Sequence, residues 1–291
     1  MNKMKTRKII ILLLVIPSFA VRSDIILWLK PDFPPANFVS GVLRGLGYAD
    51  RIEELIVSQL NRFEHGEIVA SYEGIIQYLK QRNGCAVGLI KTPERESFLE
   101  FTEVALLVYP NGLITRKDKL DEFSPYIDDK GFLSVKRLAK DSELIAGVAD
   151  GRIYEGAIDE ELITLQAANK VVRRSGDDVL AGLIRMVDLG RIDYTFGYPV
   201  EVEYHYSLGV VKNEMAFIKI KEMPAFIESY IVCRKNEWGR RVVNEINEVL
   251  LQHRTTPEFL HFYEFWLDIE IRTKHSDMAA SYFKNLRYSE N

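Results

Sequence analysis

The chain has 291 residues and a formal net charge of −4, with 47% hydrophobic, 27% charged and 11% aromatic residues. That is a globular composition, with material for one large or two modest domains. An acidic chain without a basic stripe is not built to hold nucleic acid or an anionic membrane, and no internal repeat is visible.

Lys3, Lys5, Arg7 and Lys8 precede an almost wholly apolar stretch, Ile9 to Phe19. Ser18-Phe19-Ala20 fits the small-x-small cleavage pattern, and Val21-Arg22-Ser23 offers a second cut. Together they predict a secretory signal peptide over residues 1–23 and an exported, periplasmic product. The stretch is too short to span a bilayer comfortably, which argues against an uncleaved anchor. Cleavage near Ala20 removes four basic residues and no acidic one, taking the net charge from −4 to −8. Any anion site must then be made locally.

Ile25 to Leu29 is a continuous apolar run, read as a buried first strand. Lys30-Pro31-Asp32-Phe33-Pro34-Pro35-Ala36 follows, stiffened by three prolines that present Phe33. Ile52, Leu55, Ile56 and Leu60 recur at helical spacing. Ile68 to Ala70 reads as a strand, Tyr72 to Gln81 as a helix, and Cys85 to Ile90, behind the Asn83-Gly84 turn signal, as a third strand. This βαβαβ rhythm predicts an α/β protein with ligands outside the carboxyl ends of the strands.

After Gly88, Leu89 and Ile90, Thr92 is placed as a helix N-cap, with Pro93 at the first helical position and Arg95 in the first turn. A strand end, helix-start amides and a guanidinium would converge there on an anion. The alternative is a surface turn whose arginine pairs with Glu94 or Glu96.

Val104 to Tyr109 and Leu113-Ile114 flank a Pro110-Asn111-Gly112 turn. A helix is expected around Val135 to Ala139, a strand at Leu144 to Val148, and then a loop carrying Gly151 and Arg152. A helix over Asp159 to Ala168, a strand at Val171-Val172 and a helix over Asp177 to Leu189 continue the alternation. Gly190 to Phe196, Met215 to Lys221 and Ser229 to Cys233 read as strands. Helices are expected from Trp238 to Leu251 and, last, from Glu258 to Ile269. Both cysteines, Cys85 and Cys233, fall in predicted strands of an exported chain. One disulfide and two buried thiols remain equal alternatives.

Thr92-Pro93-Glu94-Arg95 with Phe98-Leu99-Glu100-Phe101-Thr102, then Gly147-Val148-Ala149-Asp150-Gly151, then Gly190-Arg191-Ile192-Asp193, resemble in order and spacing the bacterial extracellular (periplasmic) solute-binding proteins of family 3, the amino-acid-binding type. The resemblance runs from Ile25 to Leu251. It implies a two-lobed periplasmic binding protein type II fold, each lobe a mostly parallel sheet flanked by helices. Lobe 1 would comprise 24–109 and 232–291, and lobe 2 would comprise 110–231. It also implies a ligand site in which Arg95 holds a carboxylate beside Gly88, Phe33 packs on the ligand, and amides near Gly151 complete the clamp. Three positions depart from the family pattern. Lys30 stands where several members have an acidic residue facing the ligand. Arg152 replaces a hydroxyl residue. Tyr198 replaces the aspartate that accepts a ligand ammonium, with Glu201 the nearest acidic substitute. The net change favours a ligand more anionic than cationic.

The function so implied is capture of a small carboxylate-bearing solute, an amino acid or organic acid, by a monomer that hands it to an ABC permease or membrane sensor. No cofactor, metal or nucleic acid is expected. One alternative is a ligand-free signalling or interaction relative. Another is a dehydratase- or lyase-like enzyme on the same scaffold, which would need a placed acid or base. His65, His253, His261 and His275 lie outside the predicted cleft loops, His205 has no obvious partner in the sequence, and no paired carboxylates stand out. The reading is therefore non-enzymatic.

Overall fold

A computed structural model describes residues 24–154, 156–175 and 179–289. The expected signal peptide lies outside the described residues. Among the described residues, no helix is long and apolar enough to cross a membrane.

The first half of the chain runs β1 (Ile25–Lys30), α1 (Tyr48–Gln59), β2 (Glu64–Val69), α2 (Tyr72–Gln81), β3 (Cys85–Leu89), α3 (Pro93–Glu96), β4 (Leu99–Phe101), β5 (Leu106–Val108), β6 (Gly112–Arg116), α4 (Leu120–Phe123) and α5 (Val135–Asp141). The second half runs β7 (Ala146–Ala149), α6 (Gly156–Ala167), β8 (Val171–Arg174), α7 (Val179–Asp188), β9 (Tyr194–Gly197), α8 (Pro199–Ser207), β10 (Met215–Ile218), β11 (Ile227–Arg234), α9 (Glu237–His253), α10 (Pro257–Glu264) and α11 (Ile269–Ser289).

These elements form two sheets. The first has the order β2-β1-β3-β11-β4, with β5 also paired to β11; the second has the order β10-β6-β9-β7-β8. β1 is parallel to β2 and β3, and β7 is parallel to β8 and β9. β11 and β6 run antiparallel to their neighbours. Each sheet is thus mixed rather than mostly parallel. The physical reason is connectivity, because the chain passes between the sheets at 108–112 and again at 218–227, and those strands enter in the opposite sense. β11 belongs to the first sheet along its whole length, from Ile227.

Helices cover both faces of each sheet, because one apolar stripe per helix must be buried. On the first sheet, Ile52 and Ile56 of α1 pack with Val242 and Ile246 of α9 and with Phe259 of α10. On the other face, Ile75 and Leu79 of α2 meet Ala279 and Phe283 of α11. On the second sheet, α5 and α6 bury Leu138, Ile158 and Leu165, while α7 buries Leu183 and Val187 on the other face. α11 is an addition to the elements expected from sequence.

Cys85 and Cys233 face each other across the antiparallel β3–β11 pair and are bonded to each other, fully buried. Next to them the register shifts between Tyr230 and Ile231, opposite Gly88, whose φ is +90°. An added Cβ at Gly88 would meet nothing within 4 Å, so only the backbone would object. Gly88→Ala is therefore expected to cost about 1–2 kcal/mol of stability, read as a lowered urea midpoint with an unchanged slope.

Candidate functional site

The site begins at the carboxyl end of β1. The Phe33 carbonyl accepts the amides of Ala36 and Asn37, which closes the proline loop around a cis Pro34–Pro35 bond. The Phe33 ring stands edge-on to Tyr72, with centroids 5.8 Å apart. Lys30, expected to face a ligand, is instead buried against three carboxylates: Glu53 at 2.9 Å, Glu67 at 3.1 Å and Asp50 at 3.4 Å. Asp50 also accepts from Asn37 Nδ2, the Phe38 amide and the Gly47 amide. The Lys30 charge is spent on fixing α1 to the loop, so it adds no positive field for a ligand.

Burial pushes the Glu53 carboxyl up to about 7, against the pull of Lys30, with Asp50 and Glu67 adding to the rise. The folded state therefore takes up this proton more readily than the unfolded chain. Its contribution is present at low pH and is lost as pH rises from about 4.5 to about 7. Glu53→Gln holds the neutral form. It is expected to match the wild type near pH 4.5 and to be more stable at pH 8 by on the order of 2–3 kcal/mol, measured by urea unfolding across that range.

At the end of β3, Thr92 caps α3 by accepting the Arg95 amide at 3.3 Å, and Pro93 opens the helix as the sequence suggests. The helix has 4 residues, and one of the amides expected to be free for an anion, that of Arg95, is already taken by Thr92. The Arg95 guanidinium pairs with neither Glu94 nor Glu96. Its Nη1 donates to the Ile90 carbonyl at 2.8 Å, which orients the fork beside the strand end.

In the second sheet, the loop after β7 places Gly151 in an exposed turn with φ +73°. Arg152, next in the chain, turns inward. Its Nη1 and Nη2 donate to Glu201 Oε1 and Oε2 at 3.1 and 2.9 Å, and Nη2 also reaches Asn111 Oδ1 at 3.2 Å. The planar guanidinium lies over the rings of Tyr154 and Tyr198, 5.1 and 5.5 Å from their centroids. Burial works to lower the Arg152 pKa, but the charge and hydrogen bonds of Glu201 outweigh it and the net shift is upward. Glu201 Oε2 also accepts the Tyr198 amide at 2.7 Å, capping α8. The arginine and glutamate, expected to serve a ligand separately, thus satisfy each other.

Between the sheets lies a cavity of about 70 Å³, lined from one side by Phe33, Tyr48, Tyr72, Gly88 and Tyr263 and from the other by Tyr198 and Val200. Burial pushes the Tyr72 phenol up, helped by Tyr198 and Glu201 and opposed by Arg152 and Arg95, so the Tyr72 hydroxyl feels both arginine charges. Aromatic packing also joins α8 to elements of the first sheet. Phe38 stacks obliquely on Trp266 at 5.7 Å, and Tyr204 of α8 meets both rings, at 5.4 and 5.9 Å.

No family model matches the chain, and no curated protein matches it. Solved structures do. One is a probable amino-acid ABC transporter extracellular-binding protein from Bacillus subtilis, with 14% identity over 86% of this chain and 100% of that one, TM-score 0.62. Another is an ancestral cationic amino-acid solute-binding protein, with 17% identity over 85% and 96% of the two chains, TM-score 0.61. A third is a histidine kinase sensor domain with similarity to periplasmic binding proteins, with 15% identity over 84% and 96%, TM-score 0.58. The chain has the two-lobed periplasmic binding protein fold.

In that fold the first sheet is lobe 1, the second is lobe 2, and the cavity is the cleft between them. Of the residues named from sequence, Phe33, Gly88 and Tyr198 line the cavity. Arg95, Arg152 and Glu201 stand beside it through their contacts with the lining residues Ile90 and Tyr198. Lys30 and Gly151 do not line it. Tyr48, Tyr72 and Tyr263 were missed. Tyr72 opens the helix just after β2, and the rule that selected Phe33, an aromatic residue beyond a strand end, would have found it too. Tyr263 comes from α10, which the sequence suggested only as core.

Proposed function

We propose that this protein is an exported, non-enzymatic solute-binding protein that captures a small carboxylate-bearing solute in its cleft. The observation that carries this reading is the composite cleft: an aromatic cavity at the strand ends of lobe 1, lined also by Tyr198 and Val200 of lobe 2, with Arg95 hydrogen-bonded to its Ile90 wall and Arg152 over its Tyr198 wall. Arg95 supplies the fork for a carboxylate. The aromatic walls supply apolar contact, and opening of the lobes about the two crossing segments admits the solute. The neighbours' names support two destinations, an ABC permease or a membrane-bound sensor.

A thermal-shift screen of the chain from Asp24, against amino acids and organic acids, tests this reading. A solute that raises the melting temperature of the wild type, but much less that of Arg95→Gln, is the expected result. A folded protein that no solute shifts would sink it.

A second reading is favoured by one observation. The cleft is closed on its own side chains, and about 70 Å³ is well below the roughly 300–1,000 Å³ of ligand pockets. The protein would then be a ligand-free signalling or interaction relative that keeps the closed form through the packing of Tyr204 of α8 on Phe38 and Trp266. Small-angle scattering separates the two. A ligand-free wild type that samples an open form supports solute capture, and one that stays closed supports the second reading.

A further inference from the structure

We infer that the cleft selects a carboxylate that carries no ammonium group: an apolar or aromatic monocarboxylate rather than the α-amino acid of the same skeleton. This deepens the solute-binding reading and rests on it. The inference comes from where the charges around the cleft are spent.

Among the described residues, no charged side chain lines the cavity. Three carboxylates on the helices that line it, α8 and α1, are committed. Glu201 accepts from both terminal nitrogens of Arg152 and from the Tyr198 amide. Asp50 accepts from Lys30, Asn37 and two backbone amides, and Glu53 from Lys30. Asp32 is exposed and does not line the cavity. A ligand ammonium closed into this space would lose its hydration and meet no counter-charge, which is strongly unfavourable.

The tyrosine faces are the other host for a cation. Here they are poor ones. Arg152 already lies over Tyr198, and at Tyr72 the charges of Arg152 and Glu201 oppose each other while Arg95 adds a positive one. A carboxylate meets the opposite situation. Arg95 has no carboxylate partner among the described residues, and its hydrogen bond to the Ile90 carbonyl leaves further guanidinium donors. The ligand's apolar body would then pack on Phe33, Tyr72 and Tyr198. The same distribution that denies an ammonium a partner supplies one for an anion, so the discrimination comes from the whole cleft rather than from one residue.

The test is titration calorimetry with matched pairs: propionate and alanine, 4-methylpentanoate and leucine, 3-phenylpropionate and phenylalanine, with glycine betaine as the probe that carries a quaternary ammonium beside its carboxylate. The expected result is that at least one acid binds roughly 30-fold or more tightly than its amino acid. Arg95→Gln should weaken that acid about tenfold or more, and Arg95→Lys should restore part of it. Circular dichroism confirms that both variants fold. An amino acid that binds as tightly as its deaminated partner, or binding of glycine betaine, overturns the inference while leaving solute capture standing. If none of the seven compounds, nor any other in the thermal-shift screen, binds a folded protein, the solute-binding reading fails and this inference falls with it.

Discussion

Replacing both cysteines, Cys85→Ala with Cys233→Ala, is expected to lower stability by about 3–5 kcal/mol without changing the fold. The reason lies in the unfolded chain. The bridge joins positions separated by 148 residues, so it closes a loop that takes in β3, α3, β4, β5, all of lobe 2 and most of β11. Closing a loop of that size removes roughly 5 kcal/mol of chain entropy in the simplest treatment, and native bridges commonly deliver somewhat less. The folded state should hardly notice. β11 is hydrogen-bonded to β3 and β4 on either side of Cys233, and each residue is fully buried. Urea unfolding of the oxidised wild type and the double variant measures the difference. Thiol titration adds a second readout. The buried sulfurs should resist a reductant in buffer and react once urea opens the first sheet. Equal urea midpoints would show that the bridge contributes nothing.

That the two cysteines meet illustrates what the sequence could and could not say. Strand character at 85–90 and 229–233 was legible from apolar runs bounded by turn signals. Their pairing was not, because β11 reaches β3 only after the chain has left for lobe 2 and returned, and nothing local encodes that return. The βα alternation of each lobe was readable because helix and strand periods differ. α11 was missed for the converse reason. Its inward positions, His275, Met278, Ala279, Phe283 and Leu286, recur at helical spacing, but the first is a histidine and another an alanine, so the apolar signal is weak. His275 is buried because both ring nitrogens are satisfied, by Glu264 and by the Leu107 carbonyl, each at 2.8 Å. A hydropathy pattern cannot express such a partnership.

Of the candidate site, local rules about strand ends and helix starts were enough to pick out Phe33 and Gly88, which line the cavity, and Arg95, which stands in α3 beside Ile90. What such rules could not show is where two distant charges cancel. Lys30 and Arg152 counted as positive in the sequence because each was weighed alone. In the structure, Lys30 answers carboxylates 20, 23 and 37 residues on, and Arg152 answers one 49 residues on. The cleft's electrostatics are therefore a property of the fold, and the surplus of positive charge reduces to Arg95.

Glu201→Leu should show how much of the closed cleft depends on such a cancellation. It leaves the Arg152 guanidinium buried beside Tyr154 and Tyr198 with only Asn111 to accept from it, and it removes the cap from the Tyr198 amide. Breaking a buried pair from one side typically costs about 3–5 kcal/mol, and the lower part of that range is expected because Arg152 keeps some exposure. Arg152→Met strands less, since Glu201 retains the Tyr198 amide. The double variant, Arg152→Met with Glu201→Leu, replaces the pair with apolar groups among aromatic neighbours and should recover much of the loss. The signature is non-additivity. The two single losses should exceed the double loss by about 2 kcal/mol or more in urea unfolding. If the single losses merely sum to the double, the pair is not formed in solution. Should the pair prove coupled, scattering of the double variant adds the functional half of the answer. An expanded particle would mean that the pair, inside lobe 2, sets the pose of α8 that keeps the lobes together. An unchanged one would assign that role to the Phe38, Tyr204 and Trp266 contact, which the double variant leaves intact.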